Sequence, residues 1–76
     1  MSKLPVLTGK ELISLLKTLG FIEKRRKGSH VFLAHKDGMS TVVPIHSGET
    51  IGRGLLSKII ADVGTTKEEF LKLIRR

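Results

Sequence analysis

A chain of 76 residues makes one small domain, because at this length folding buries only about 60% of the unfolded surface and leaves no room for a second core. With no cysteine there is neither a disulfide framework nor a thiolate metal site, so stability rests on packing and a reducing cytoplasm suits the chain. Fourteen Lys and Arg against seven Asp and Glu leave a net charge of +7, and the cations cluster in "EKRRK", which favours RNA, DNA or another acidic partner over a merely solvated surface.

The N-terminal "MSKLPVLTGKEL" breaks its short apolar run with Pro5, and no stretch approaches the ~20 apolar residues that span a bilayer. The expectation is a soluble, unprocessed, cytoplasmic chain with no membrane partner. In "TGKELISLLKTLGF", Leu12, Leu15, Leu16 and Leu19 recur at helical spacing, Thr8 and Glu11 form a capping box, and Gly20 supplies a left-handed stop. This predicts a first helix over residues 9–19. Phe21 and Ile22 then open a strand that runs through "EKRRK" to a reversal at Gly28.

"SHVFLAH" alternates with period two, His30, Phe32 and Ala34 pointing one way and Val31, Leu33 and His35 the other. Asp37-Gly38 signals a hairpin with a primed turn, so the β-branched "STVVPI" returns antiparallel and stops near Pro44, which has no amide to donate. After a polar loop, Leu55, Leu56, Ile59, Ile60 and Val63 predict a second helix ending at Gly64. Thr66 and Glu69 cap a short third helix that turns Phe70, Leu73 and Ile74 inward. The sum is an α+β domain: helix, three-stranded antiparallel sheet, helix and short C-terminal helix, with one sheet face under the helices.

Three stretches, "GKELISLLKTLGF", "GSHVF" and "VVPIHSGETIGRGLLSKIIADVG", resemble the HicA family of bacterial and archaeal toxins over nearly the whole chain. The resemblance implies residues 1–76 as a single toxin domain with a fold like that of double-stranded-RNA-binding domains. It also implies endoribonuclease action on mRNA, and neutralisation by a HicB-type antitoxin. The family's Gly-Ser-His triplet falls on Gly28, Ser29 and His30, which makes His30 the catalytic residue by that resemblance.

The residues themselves allow such chemistry. RNA scission needs a base for the 2′-hydroxyl proton, an acid for the leaving 5′-oxygen and cations for the phosphorane charge. An imidazole serves either proton role near neutrality, and cationic neighbours favour the neutral form that accepts a proton, so general base is the single role expected of His30. Lys24, Arg25, Arg26 and Lys27 are the candidate phosphate ligands, arginine being able to grip two oxygens at once. Ser29 is either a phosphate contact or a turn residue, Gly28 is backbone geometry, and His46 is a second candidate acid or RNA contact at the end of the third strand.

Ser47, Gly48, Thr50 and Arg53 ahead of the second helix form either further anion contacts or a plain capping loop. His35 lies on the other strand face from His30 and no carboxylate stands at ligand spacing, so no metal and no cofactor is expected. Phe21, Phe32 and Phe70 all read as core, which leaves recognition to phosphate, ribose 2′-hydroxyl and shape. The alternatives are a non-catalytic RNA-binding module and a degenerate toxin that acts only as an antitoxin-binding domain.

Overall fold

The computed structural model describes residues 5–74 as α1 (Gly9–Thr18), β1 (Ile22–Lys27), β2 (His30–Ala34), β3 (Ser40–Pro44), α2 (Arg53–Asp62) and α3 (Lys67–Ile74). This is the α+β order expected from the sequence, and it is compatible with a double-stranded-RNA-binding-domain-like fold. The three strands form an antiparallel meander in the order β1-β2-β3. No helix among the described residues is long and apolar enough to cross a membrane.

Caps and glycines set the helix ends. Thr8 Oγ1 accepts from the Glu11 amide at 3.2 Å while Glu11 Oε1 accepts from the Thr8 amide at 2.8 Å, closing the capping box on α1. Thr66 and Glu69 repeat the device at α3 with bonds of 3.2 and 3.1 Å. Both longer helices end in Schellman motifs. Gly20 donates to Lys17 and Phe21 to Leu16, and Gly64 donates to Ala61 and Thr65 to Ile60.

One sheet face is covered. Val31, Leu33, Thr41 and Val43 point at α1 and α2 and are buried with Leu12, Ile13, Leu16, Leu56, Ile59, Ile60 and Phe70. The apolar stripe of α1 is rotated from the one expected, since Ile13 is buried whereas Leu15 and Leu19 are only partly so. Helix α2 likewise begins two residues before Leu55, and Leu55 faces outward. Two core residues come from the loops: Leu7 and Ile51, joined by an Ile51 amide to Leu7 carbonyl bond of 2.7 Å beside a Thr8–Thr50 bridge.

The β2–β3 hairpin departs from the primed turn. Among the described residues no non-glycine has positive φ, so Asp37 cannot occupy the first central position of a type I′ turn. Instead the His35 amide donates to the Met39 carbonyl at 2.8 Å, and Gly38 (φ +97°) takes the left-handed position of a three-residue connection.

His35 ties this hairpin to the end of α1. His35 Nε2 donates to the Leu19 carbonyl at 3.1 Å, while Nδ1 faces the Asp37 amide at 3.1 Å and the Asp37 carboxylate at 3.3 Å. Its ring sits 5.1 Å from that of Phe21 and directly over Gly20, where a Cβ would meet Nε2 at 2.8 Å. Because Gly20 also has φ +100°, Gly20→Ala is expected to destabilise the fold by about 1–3 kcal/mol, read as a lower denaturation midpoint.

Candidate functional site

The uncovered sheet face is where the candidate residues meet. Residues opposite one another in an antiparallel ladder share a face, and the register pairs His30 with Lys27 on one side and Pro44 on the other. Arg25 faces Phe32, and Phe32 faces Val42. His30, Phe32, Arg25, Lys27, Val42 and Pro44 therefore stand together, opposite the face that α1 and α2 cover. His30 is exposed on the central strand, and among the described residues no hydrogen bond or ion pair holds its ring.

A bulge splits the basic run. The β1–β2 register shifts between Glu23 and Arg25, so Lys24 is the extra residue. Without it Glu23 and Arg26, three apart, would lie on opposite faces; with it both lie on the helix side, where Arg26 pairs with Glu23 at 3.5 Å. Lys24 itself lines a cleft with Phe32, Val42, Thr41, Lys58 and Asp62, residues drawn from both faces of the sheet. Arg25 and Lys27 are left on the face of His30.

The electrostatics of that face are one-sided. Of the seven acids, Glu23 pairs with Arg26, Asp62 with Lys58 at 3.0 Å, Glu11 and Glu69 serve caps, Asp37 and Glu49 lie in loops and Glu68 opens α3. None occupies a strand position beside His30.

Gly28 and Ser29 form the two-residue turn that delivers His30 to the sheet. Gly28 alone has positive φ (+60°), as the first centre of a type II′ turn requires, and a Cβ there would touch nothing within 4 Å, so the demand is conformational rather than steric. Ser29 is half-buried and its carbonyl accepts from the Ile45 amide at 2.6 Å, carrying the β2–β3 pairing past the ends of both strands.

His46 follows two residues after Pro44, the partner of His30, so both imidazoles belong to the same end of the sheet. It is exposed and lines a small cleft with Thr8, Gly9, Lys10 and Ser47 at the start of α1. Thr50 is drawn into the bridge with Thr8, and Gly52 caps α2 without a side-chain bond. His35 is engaged at the hairpin, away from this end. Among the described residues no three His, Asp or Glu side chains gather as a metal site.

One residue of this face escaped the reading of the sequence. Phe32 is not in the core but half-buried on the open face, with the Arg25 guanidinium 4.6 Å from its ring centroid. The signal was present, since Phe32 shares strand parity with His30. An aromatic residue in a small domain is more often buried, and that general preference hid it.

The class defined by this geometry is a small α+β domain whose exposed histidine shares a sheet face with Arg25 and Lys27, neither of them ion-paired among the described residues. The family model described as HicA toxin of bacterial toxin-antitoxin matches residues 9–65, which takes in α1, the sheet and α2. The chain belongs to the HicA toxin family, with the role of the toxin of a toxin-antitoxin pair. Among curated proteins none matches the chain.

Proposed function

We propose that the chain is an endoribonuclease toxin of a type II toxin-antitoxin system, acting on mRNA in the cytoplasm as a single domain over residues 1–76, with His30 as its catalytic residue. What supports this most is one observation: an exposed histidine, unbonded among the described residues, opposite Lys27 and on the same acid-free face as Arg25, in a chain of the HicA toxin family. In the proposed reaction the neutral imidazole of His30 takes the proton of a ribose 2′-hydroxyl. The 2′-oxygen attacks phosphorus and the bond to the 5′-oxygen breaks, leaving a 2′,3′-cyclic phosphate and a 5′-hydroxyl.

A proton must reach the departing 5′-oxygen, and His46 or water supplies it. Arg25 and Lys27 meet the charge that grows on the phosphorane oxygens, with the guanidinium able to hold two of them. Ser29, in the turn, is a further contact. Arg26, paired with Glu23 on the other face, contributes long-range field rather than direct grip, and Lys24, at the bulge, is a further phosphate contact. An acidic HicB-type antitoxin that covered the same face would compete with RNA for it.

Incubating the purified chain with single-stranded RNA tests the reading. Cleavage to cyclic-phosphate ends, undiminished by EDTA, is the expected result, since none of these steps uses a metal. RNA binding without cleavage would select a non-catalytic binding module, and tight antitoxin binding without RNA affinity would select a degenerate toxin. Within an active toxin, Lys27→Ala is expected to slow cleavage at least tenfold more than Arg26→Ala. A free surface cation facing a phosphate charge contributes more than one already paired to a carboxylate.

A further inference from the structure

The Arg25–Phe32 pair is more than a packing contact. The two residues stand opposite across β1 and β2, and the guanidinium carbon lies 4.6 Å from the ring centroid, well inside cation–π range. Phe32 is flanked on its other side by Val42 and is partly buried, so the ring forms a floor for the cation. Arg25 makes no ion pair among the described residues, because the one acid on its strand, Glu23, is taken by Arg26 on the far face. The guanidinium group thus lies over the ring while the residue as a whole stays exposed.

A planar cation held in this way is a stacking surface. Unpaired bases stack on guanidinium planes as they do on aromatic rings, and a floor beneath the cation removes much of the rotamer freedom that binding would otherwise have to freeze. The position suits a nucleotide bound at His30. Phe32 lies two residues along β2 from His30 on the same face, about 6.6 Å by strand rise, near enough for one nucleotide to span. Lys27, opposite His30, is placed for the phosphate between them.

We propose that the Arg25–Phe32 stack is a nucleobase seat, which holds an unpaired base of the RNA beside the phosphate attacked at His30 and so confines the toxin to single-stranded segments. Bases in a duplex have both planes covered by their neighbours and cannot enter it. The proposal rests on the ribonuclease reading, and it assigns Phe32 a positioning role: it touches Arg25, and Arg25 touches the base.

The test uses the full chain with His30→Ala, which leaves the RNA intact, and three probes of equal length: single-stranded RNA, its abasic ribose-phosphate counterpart and double-stranded RNA. The single strand is expected to bind about 5- to 150-fold more tightly than the abasic strand, the range corresponding to the ~1–3 kcal/mol of a stacked base. Phe32→Leu, which keeps an apolar side chain on the sheet, should abolish that preference, with binding of the intact strand falling to the level of the abasic strand. A 2-aminopurine in the single strand should lose its stacking quench in the same variant.

Arg25→Lys keeps the charge, lies at an exposed position and removes the plane, so it decides the matter should Phe32→Leu fold poorly. Equal affinity for intact and abasic RNA, or a preference that survives Arg25→Lys, would overturn the seat and leave the ribonuclease reading standing if the native chain cleaves. Absence of both RNA binding and cleavage would overturn both.

Discussion

His30→Ala is expected to slow RNA cleavage by about 10²–10⁴-fold, the usual yield of a positioned acid–base residue, while the protein keeps its fold. The two halves of that expectation have separate causes. His30 is exposed, contributes nothing to the buried cluster and has no bonded partner to strand, so its loss belongs with surface substitutions that change stability by within about 0.5 kcal/mol. Circular dichroism and the denaturation midpoint should therefore match those of the native chain. Growth arrest on expression should disappear along with cleavage.

A positioning role would give the same loss, and two further readings separate it from proton transfer. Added imidazole should restore part of the activity of His30→Ala if the missing group is a base. The native rate should fall on acidification, because a general base works only in its neutral form. Equal cleavage by the two proteins would remove His30 from the mechanism.

The parts of the fold that were legible in the sequence are those specified locally. The capping boxes at Thr8–Glu11 and Thr66–Glu69, the stops at Gly20 and Gly64, and the reversal at Gly28 each need only a few neighbouring residues, and all are found where the sequence puts them. What was not legible depends on parity and on distant partners. The bulge at Lys24 has no glycine or proline to announce it, yet that one residue reassigns every later cation of β1 to the opposite face. The run "EKRRK" thus read as one basic patch and folds into two.

Phe32 failed for a related reason. Alternation placed it with His30, but which face of the sheet is covered depends on both α1 and α2 packing on the same side, a tertiary fact that no local pattern states. Leu7 ends a short apolar run whose Val6 stays exposed, and Ile51 is an isolated apolar residue in a polar loop. Only the Thr8–Thr50 bridge, between residues far apart in sequence, makes them core.

The stretch matched by the family ends at Thr65, just before α3, yet the structure gives that helix the largest of the fully buried side chains. Phe70 is 0% exposed and packs within the same cluster as Leu12, Leu16 and Leu56, with Leu73 and Ile74 partly buried against it. Truncating a buried phenylalanine removes about 3–5 kcal/mol. A chain of 76 residues has only about 4–11 kcal/mol to lose. Phe70→Ala is therefore expected to bring the protein to or near its unfolding threshold at 37 °C, with denaturant and thermal midpoints falling steeply. Cleavage and RNA binding should decline together in proportion to the unfolded fraction, in contrast to His30→Ala, which spares binding and fold. If α3 were an appendage to a self-sufficient unit ending at Thr65, Phe70→Ala would leave the midpoint within about 0.5 kcal/mol of the native value, as at a surface site. A near-native midpoint in urea would thus overturn the integral role given to α3, and the steep fall expected would make the capping box at Thr66–Glu69 part of what holds the sheet, and with it the open face, in shape.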